Sequence, residues 1–141
     1  MATAESLRKA LYTRARTDAL AQVYAIYGPS PTAAFRIAKD VATFLETGKD
    51  DEGEVPLIDA QIIDGSLRKM GIDEARSYAS FLYKKPVQSS RRTLIIHRPD
   101  LFTADAQHAL LKLFEEPPAH ALIFLTVRSM SNVMQTLGSR M

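Results

Sequence analysis

An α/β fold, with a mainly parallel sheet flanked by helices, is what this sequence predicts, on three observations. Short apolar runs alternate with helix-spaced segments along the whole chain. Two of those runs, Thr93-Leu94-Ile95-Ile96 and Leu122-Ile123-Phe124-Leu125, bracket one helix-spaced segment. A strand–helix–strand unit of that length implies parallel strands joined by a right-handed crossover. Finally, 141 residues of which 46% are hydrophobic suffice for one domain with a sizeable core. There is no internal repeat, low-complexity tract or sign of a second domain.

Taken in order, Ala4 to Leu20 reads as a helix with Leu7, Ala10, Leu11 and Ala15 on one side. Gln22 to Tyr27 is a short strand that ends in the turn Gly28-Pro29-Ser30-Pro31. Thr32 to Leu45 is a second helix, with Ala34, Ile37, Ala38, Val41 and Leu45 at three- and four-residue steps. Glu46 to Pro56, with Gly48, Gly53 and several acids, is a polar loop, and Leu57 to Ile63 a strand. Asp73 to Lys84 is a helix stopped by Pro86. After the strand at Thr93 to Ile96, Thr103 caps a helix whose Ala106, Ala109, Leu110 and Leu113 share a face. Pro117-Pro118 ends it, because proline lacks the N–H and clashes with the preceding turn. Beyond the last strand, Ser129 or Ser131 caps a short helix that ends near Leu137-Gly138.

Composition excludes several classes. No apolar run approaches the ~18 residues of a membrane helix, and the N-terminus has no signal-peptide apolar core. Cysteine is absent, which removes disulfides, a thiolate zinc site and a cysteine nucleophile. These features together predict a cytoplasmic protein without a membrane partner. The net charge of +2 does not demand a polyanion, yet the basic residues are uneven. Arg8, Lys9, Arg14 and Arg16 lie near the start, and Lys84, Lys85, Arg91 and Arg92 bracket Pro86. The second group is a candidate for duplex phosphate contact, giving affinity without sequence reading, or else a solubilising loop.

Other chemistry finds little support. His97, His108 and His120 stand eleven and twelve residues apart, so no pair shares a helix face and no metal site is predicted. Glu115 and Glu116 diverge by ~100° as helix neighbours and do not form an acid–base pair. No serine has the context of a nucleophile elbow. Met130, Met134 and Met141 read as packing, and the first helix as a cover for the sheet rather than a lipid-binding element.

The segment Gly28 to Phe35, GPSPTAAF, lies at a strand–helix joint, where phosphate-binding loops carry G-x-x-x-x-G-K-[ST]. Gly28 keeps the first glycine, Pro29 follows it, and Pro31 removes a backbone donor. Ala33 replaces the second glycine, Ala34 the lysine and Phe35 the magnesium-binding hydroxyl. Each change deletes a phosphate or metal contact, so no nucleotide cofactor is predicted.

The stretch from Thr103 to Pro118, TADAQHALLKLFEEPP, resembles the AAA+ modules of bacterial DNA polymerase III clamp loaders. There an A-x-N-A-L-L-K-x-L-E-E-P-P segment follows the Walker B strand. The resemblance extends through Gly28-Pro29, Ile72-Asp73-x-x-Arg76, Lys85-Pro86 and the region from Leu94 to Arg140, and so covers most of the chain. It implies a P-loop NTPase (AAA+)-like, three-layer α/β domain. Clamp-loader ATPases end the central strand with an acidic pair, whereas this chain has His97 and Arg98. The final Thr136-Leu137-Gly138-Ser139-Arg140-Met141 is similar to the family's T-[IL]-x-S-R-C motif. In that motif the arginine is a finger that reaches a neighbouring subunit's ATP, which makes Arg140 the expected catalytic contribution in trans and Ser139 its positioning neighbour.

An emptied ATP site beside a retained finger is similar to the delta-prime type of clamp-loader subunit. The implied function is non-hydrolysing participation in DNA replication. The implied partners are the gamma/tau ATPase, delta, the sliding clamp and primer-template DNA. Two other functions stay open: a gamma/tau-like ATPase with a degenerate site, and a stand-alone DNA-binding or scaffold domain of the same fold. The chain departs from the family in lacking the cysteine-bound zinc module after the P-loop helix, and in carrying His108 for the usual asparagine. Residues 1–141 are expected to be a single AAA+-like domain without the helical lid and collar, either a fragment of a longer subunit or a short relative.

Overall fold

The computed structural model of the protein describes residues 4–49, 55–67 and 71–129. Its centre is a pair of strands, β3 (Arg92–His97) and β4 (Ala121–Val127), in which every residue is buried. They run parallel in the register Arg92↔Ala121 to His97↔Thr126. On either side stand β1 (Val23–Tyr27), parallel to β4, and β2 (Ala60–Asp64), parallel to β3, in the order β1-β4-β3-β2. Parallel neighbours require crossovers, and the helices provide them.

Successive residues of a strand face opposite sides, so the central pair feeds two cores. Ile95, Leu122 and Phe124 pack against α1 (Ala4–Arg16) and α2 (Pro31–Thr47). Leu94, Ile96, Ile123 and Leu125 pack against α3 (Ile72–Tyr83) and α4 (Ala104–Glu115). The result is the predicted three-layer arrangement. Among the described residues no helix is long and apolar enough to cross a membrane.

Helix boundaries follow local chemistry. Ser30 caps α2 by accepting the Ala33 N–H, Pro31 occupies the first turn, and Gly48 closes the other end at φ 74°. Thr103 caps α4 by accepting the Ala106 N–H, as predicted. Helix α1 stops at Arg16 rather than Leu20, and Asp18 follows at a left-handed φ of 53°. Its buried face also turns away from Ala10, which is exposed, towards Leu11 and Tyr12. The Tyr12 ring stacks on Phe44 with centroids 4.6 Å apart. The helix predicted from Ser129 or Ser131 falls almost wholly outside the described residues.

Strand β2 begins at Ala60, three residues later than Leu57, because Ile58 and Asp59 are held otherwise. Glu46, near the end of α2, accepts the N–H of Ile58 at 2.8 Å and of Asp59 at 3.0 Å. The Asp59 side chain is 1% exposed, and its carboxylate accepts the N–H groups of Val87, Gln88 and Ser89, each at 2.7 Å. Arg92 completes the set, donating to Asp59 at 3.0 Å and to the Phe81 carbonyl at 3.1 Å while lying over the Phe81 ring. Burial alone would raise the Asp59 pKa. The N–H groups of Ser89, Val87 and Gln88, with Arg92, outweigh it and hold the carboxyl below its ordinary range.

Asp59→Ala leaves the Arg92 guanidinium buried without its carboxylate, and is expected to lower the unfolding free energy by about 3 to 5 kcal/mol in urea titration. Because the folded pKa is depressed, the carboxylate stabilises the fold fully above the unfolded pKa of about 3.9. That contribution is lost as pH falls through the folded value. The stability gap between the wild type and Asp59→Ala should therefore shrink only below pH ~4.

Candidate functional site

The carboxyl ends of β1 and β3 meet the start of α2, the position at which open α/β sheets bind ligands. Tyr27 ends β1, and α2 starts only four residues on, at Pro31. A helix N-terminus attracts anions through its first unpaired N–H groups. Here Pro31 has none, the Ala33 N–H bonds to the Ser30 hydroxyl at 3.2 Å, and the Ala34 N–H bonds to the Ser30 carbonyl at 3.3 Å. Ser30 thus takes two of the N–H groups at the start of the helix. Gly28 has open space where a Cβ would be, so no close approach requires glycine there.

One turn into α2, the Phe35 ring stacks on His97, with centroids 4.5 Å apart and planes at 20°. Lys39 Nζ lies 5.2 Å from the same ring. His97 is the last residue of β3, buried, and its Nδ1 shares a 2.7 Å hydrogen bond with the Thr126 hydroxyl on β4. Burial depresses the His97 pKa below its ordinary value and Arg98 adds to this, while the Asp64 and Asp100 carboxylates pull the other way. The imidazole is therefore neutral at pH 7.

Arg98 leaves the strand in the left-handed region, with φ 57° and ψ 57°, and its N–H bonds to the Thr126 carbonyl at 3.0 Å. Its guanidinium grips Asp100 with two bonds, Nε to Oδ1 at 3.1 Å and Nη2 to Oδ2 at 3.0 Å. The Asp100 hydrogen bond is the main cause that raises the Arg98 pKa further. The chain then makes a single 3-10 turn, Pro99–Leu101, before α4. Gly65, just past β2, donates to the His97 carbonyl at 2.8 Å. A Cβ on Gly65 would collide with the Arg98 carbonyl and the Phe102 ring, so this approach does require glycine.

The basic group around Pro86 separates into two kinds of residue. Lys84 and Lys85 are exposed. Arg92 is buried in the Asp59 cluster, which withdraws it as a phosphate contact. Arg91 is likewise turned inward, with its side chain 11% exposed and bonded to the Leu20, Ala21 and Ala121 carbonyls. The physical reason is that both arginines sit at the start of a buried strand, where carbonyls and Asp59 await a donor. His108, His120, Glu115 and Glu116 are exposed and separate. Among the described residues no group of three or more His, Asp or Glu side chains could hold a metal ion. Arg140 and Ser139 lie outside the described residues.

Asp59 went unrecognised in the sequence. The available signal was a lone acid within the apolar stretch Leu57 to Ile63, since a buried carboxylate requires a partner.

Residues 3–141 match the family described as "DNA polymerase III, delta subunit". The chain belongs to this family. Relatives within the same replication machinery are similar over part of their length. The gamma/tau subunit of DNA polymerase III from Mycobacterium bovis is 33% identical over 70 residues, which are 50% of this chain and 12% of that protein. The gamma subunit from Buchnera aphidicola is 29% identical over 83 residues, 59% of this chain and 23% of that protein. A gamma subunit-related protein of Thermotoga maritima has a crystal structure that superposes with a TM-score of 0.75 at 27% identity. It is matched over 92% of this chain and 43% of its own. The clamp-loader family member described here thus spans less than half of the relatives it resembles, and shares their α/β fold.

In an NMR titration, His97 is expected to titrate below pH 6.5, since burial penalises its cation. Phe35→Ala, which opens the ring to water, should move that midpoint upward. A midpoint unchanged by Phe35→Ala would show that the stacked ring does not shield the imidazole.

Proposed function

We propose that this chain is a non-hydrolysing clamp-loader module of the delta-prime type, acting in DNA replication in the cytoplasm. The observation that carries the reading is the Phe35–His97 stack. These two side chains occupy the positions at which a P-loop ATPase holds magnesium, one with a hydroxyl and the other with a carboxylate. An aromatic ring and a neutral imidazole offer neither hard oxygen donors nor negative charge to a magnesium–phosphate. The start of α2 supports the same reading, because Pro31 has no N–H and the Ala33 N–H is already taken by the Ser30 hydroxyl. Arg98 beside them is a cation committed to Asp100.

In this reading the module works next door. Arg140, positioned by Ser139, stabilises charge developing on the ATP of a gamma/tau-like neighbour, while delta, the sliding clamp and primer-template DNA complete the assembly. Lys84 and Lys85 remain the exposed candidates for phosphate contact.

A second reading, an ATP-binding subunit with unusual contacts, draws support from the gamma and gamma/tau names of the matched relatives. Calorimetric titration of the chain with magnesium-ATP separates the two. The silent module gives no saturable heat in the micromolar range, whereas magnesium-dependent binding there would refute it. In a complete loader, Arg140→Ala should cut hydrolysis at the adjacent ATP site on the order of a thousandfold and leave the assembled mass unchanged. Unaltered hydrolysis would remove the finger assignment.

A further inference from the structure

His97 and Thr126 stand opposite each other at the ends of β3 and β4. The rest of β4 is apolar, and valine would fill the space of Thr126 equally well. A hydroxyl at 0% exposure is costly unless it bonds, so this one depends on its 2.7 Å contact with His97 Nδ1. Among the described residues it has no other partner. Burial and bonding together fix the direction of the bond. A hydroxyl that accepted from Nδ1–H would leave its own hydrogen unbonded, out of reach of water. The Thr126 O–H therefore donates, Nδ1 accepts, and the neutral ring carries its proton on Nε2.

The same geometry penalises a proton on Nδ1, because it turns the Thr126 hydroxyl around and strips its hydrogen of an acceptor. Burial is the largest force against the cation, and Arg98 adds to it. Asp64, at the end of β2 and bonded to Ser66, pulls the other way, as does Asp100, gripped by Arg98. From α2, Lys39 Nζ approaches the Phe35 ring at 5.2 Å, so a protonated His97 sets a second cation against that ring. We propose that His97 is an acid-released pin, which joins α2 to the end of β4 while neutral and lets them part when Nδ1 takes a proton. Three elements build it: Phe35 of α2, His97 of β3 and Thr126 of β4. Because the folded pKa is depressed, the pin contributes fully above the unfolded value of about 6.5 and is lost as pH falls through the folded one. The Asp59 cluster, at the other end of the sheet, yields only below pH ~4, so acid loosens the two ends in sequence. The pin needs only the ring, the hydroxyl and their burial, and is independent of the nucleotide-site reading.

The test uses the 141-residue chain. Amide hydrogen exchange is compared at about pH 7.5 and about pH 4.5, after correction for intrinsic rates. The first two turns of α2 and the end of β4 should lose protection at least about tenfold at the lower pH. Strand β2 and the loop after α3 should keep theirs. His97→Gln supplies an oxygen that accepts from Thr126 but takes no proton, and should hold protection at both pH values. In the wild-type protein at about pH 7.5, nitrogen-15 NMR of the imidazole should find the proton on Nε2. A proton on Nδ1, protection unchanged between the two pH values, or the same loss in His97→Gln overturns the proposal.

Discussion

A single carboxylate organises one half of this molecule. Asp59 is almost wholly out of water, and what repays its burial is a complete set of donors: three consecutive backbone N–H groups and the Arg92 guanidinium. Together the bonds connect three pieces of chain. Asp59 stands just before β2, the N–H groups belong to the loop after α3, and Arg92 begins β3 and reaches back to the end of α3 through Phe81. Glu46 extends the chain of contacts to α2. Buried charge of this kind does little for net stability compared with an apolar core, but it tolerates only one arrangement. It therefore sets where β2 starts and so the register of the sheet edge.

The opposite end of the sheet is ordered by different means. There Ser30 bonds to the first turn of α2 and Arg98 to Asp100, both at short range, while His97 is tied across the sheet to Thr126. Open strand ends in an α/β sheet ordinarily remain available to a ligand. Here Ser30, Arg98 and His97 have internal partners, and an aromatic ring lies over the imidazole. The contrast between the two ends follows from residue type. The Asp59 carboxylate recruits donors from distant segments, whereas the Ser30 hydroxyl and the bidentate Arg98 satisfy neighbours two or three residues away.

The layers and the parallel sheet were legible because they depend on periodicity. The alternation of apolar runs with helix-spaced faces identified β3, α4 and β4, and residue type identified the cap of α4. Ends decided by a single polar contact were not legible. Nothing in the pattern of Leu57 to Ile63 separates a strand residue from one whose carboxylate holds a loop, so β2 was drawn too long. Composition misled in the same way at Arg91 and Arg92, which read as surface charge and prove to be internal donors. The candidate site was legible as positions: motif spacing selects Phe35 and His97 separately. That the two rings touch is a fact of the fold, since they are 62 residues apart in the sequence.

The strand order has a consequence for how the molecule comes into being. Among the described residues β1, the first strand, pairs with β4, the last, through the register Val23↔Ile123 to Tyr27↔Val127. Contacts of such long sequence separation carry a large loop-closure entropy and slow the search for the native state. During synthesis β1 must wait for the residues up to β4 to emerge, about 5 to 20 s at ordinary translation rates. In that interval α1 and α2 can already pair with each other, through Tyr12 and Phe44. The order of strands thus turns a static sheet into a timing constraint, in which an edge strand made early closes only onto an inner strand made late.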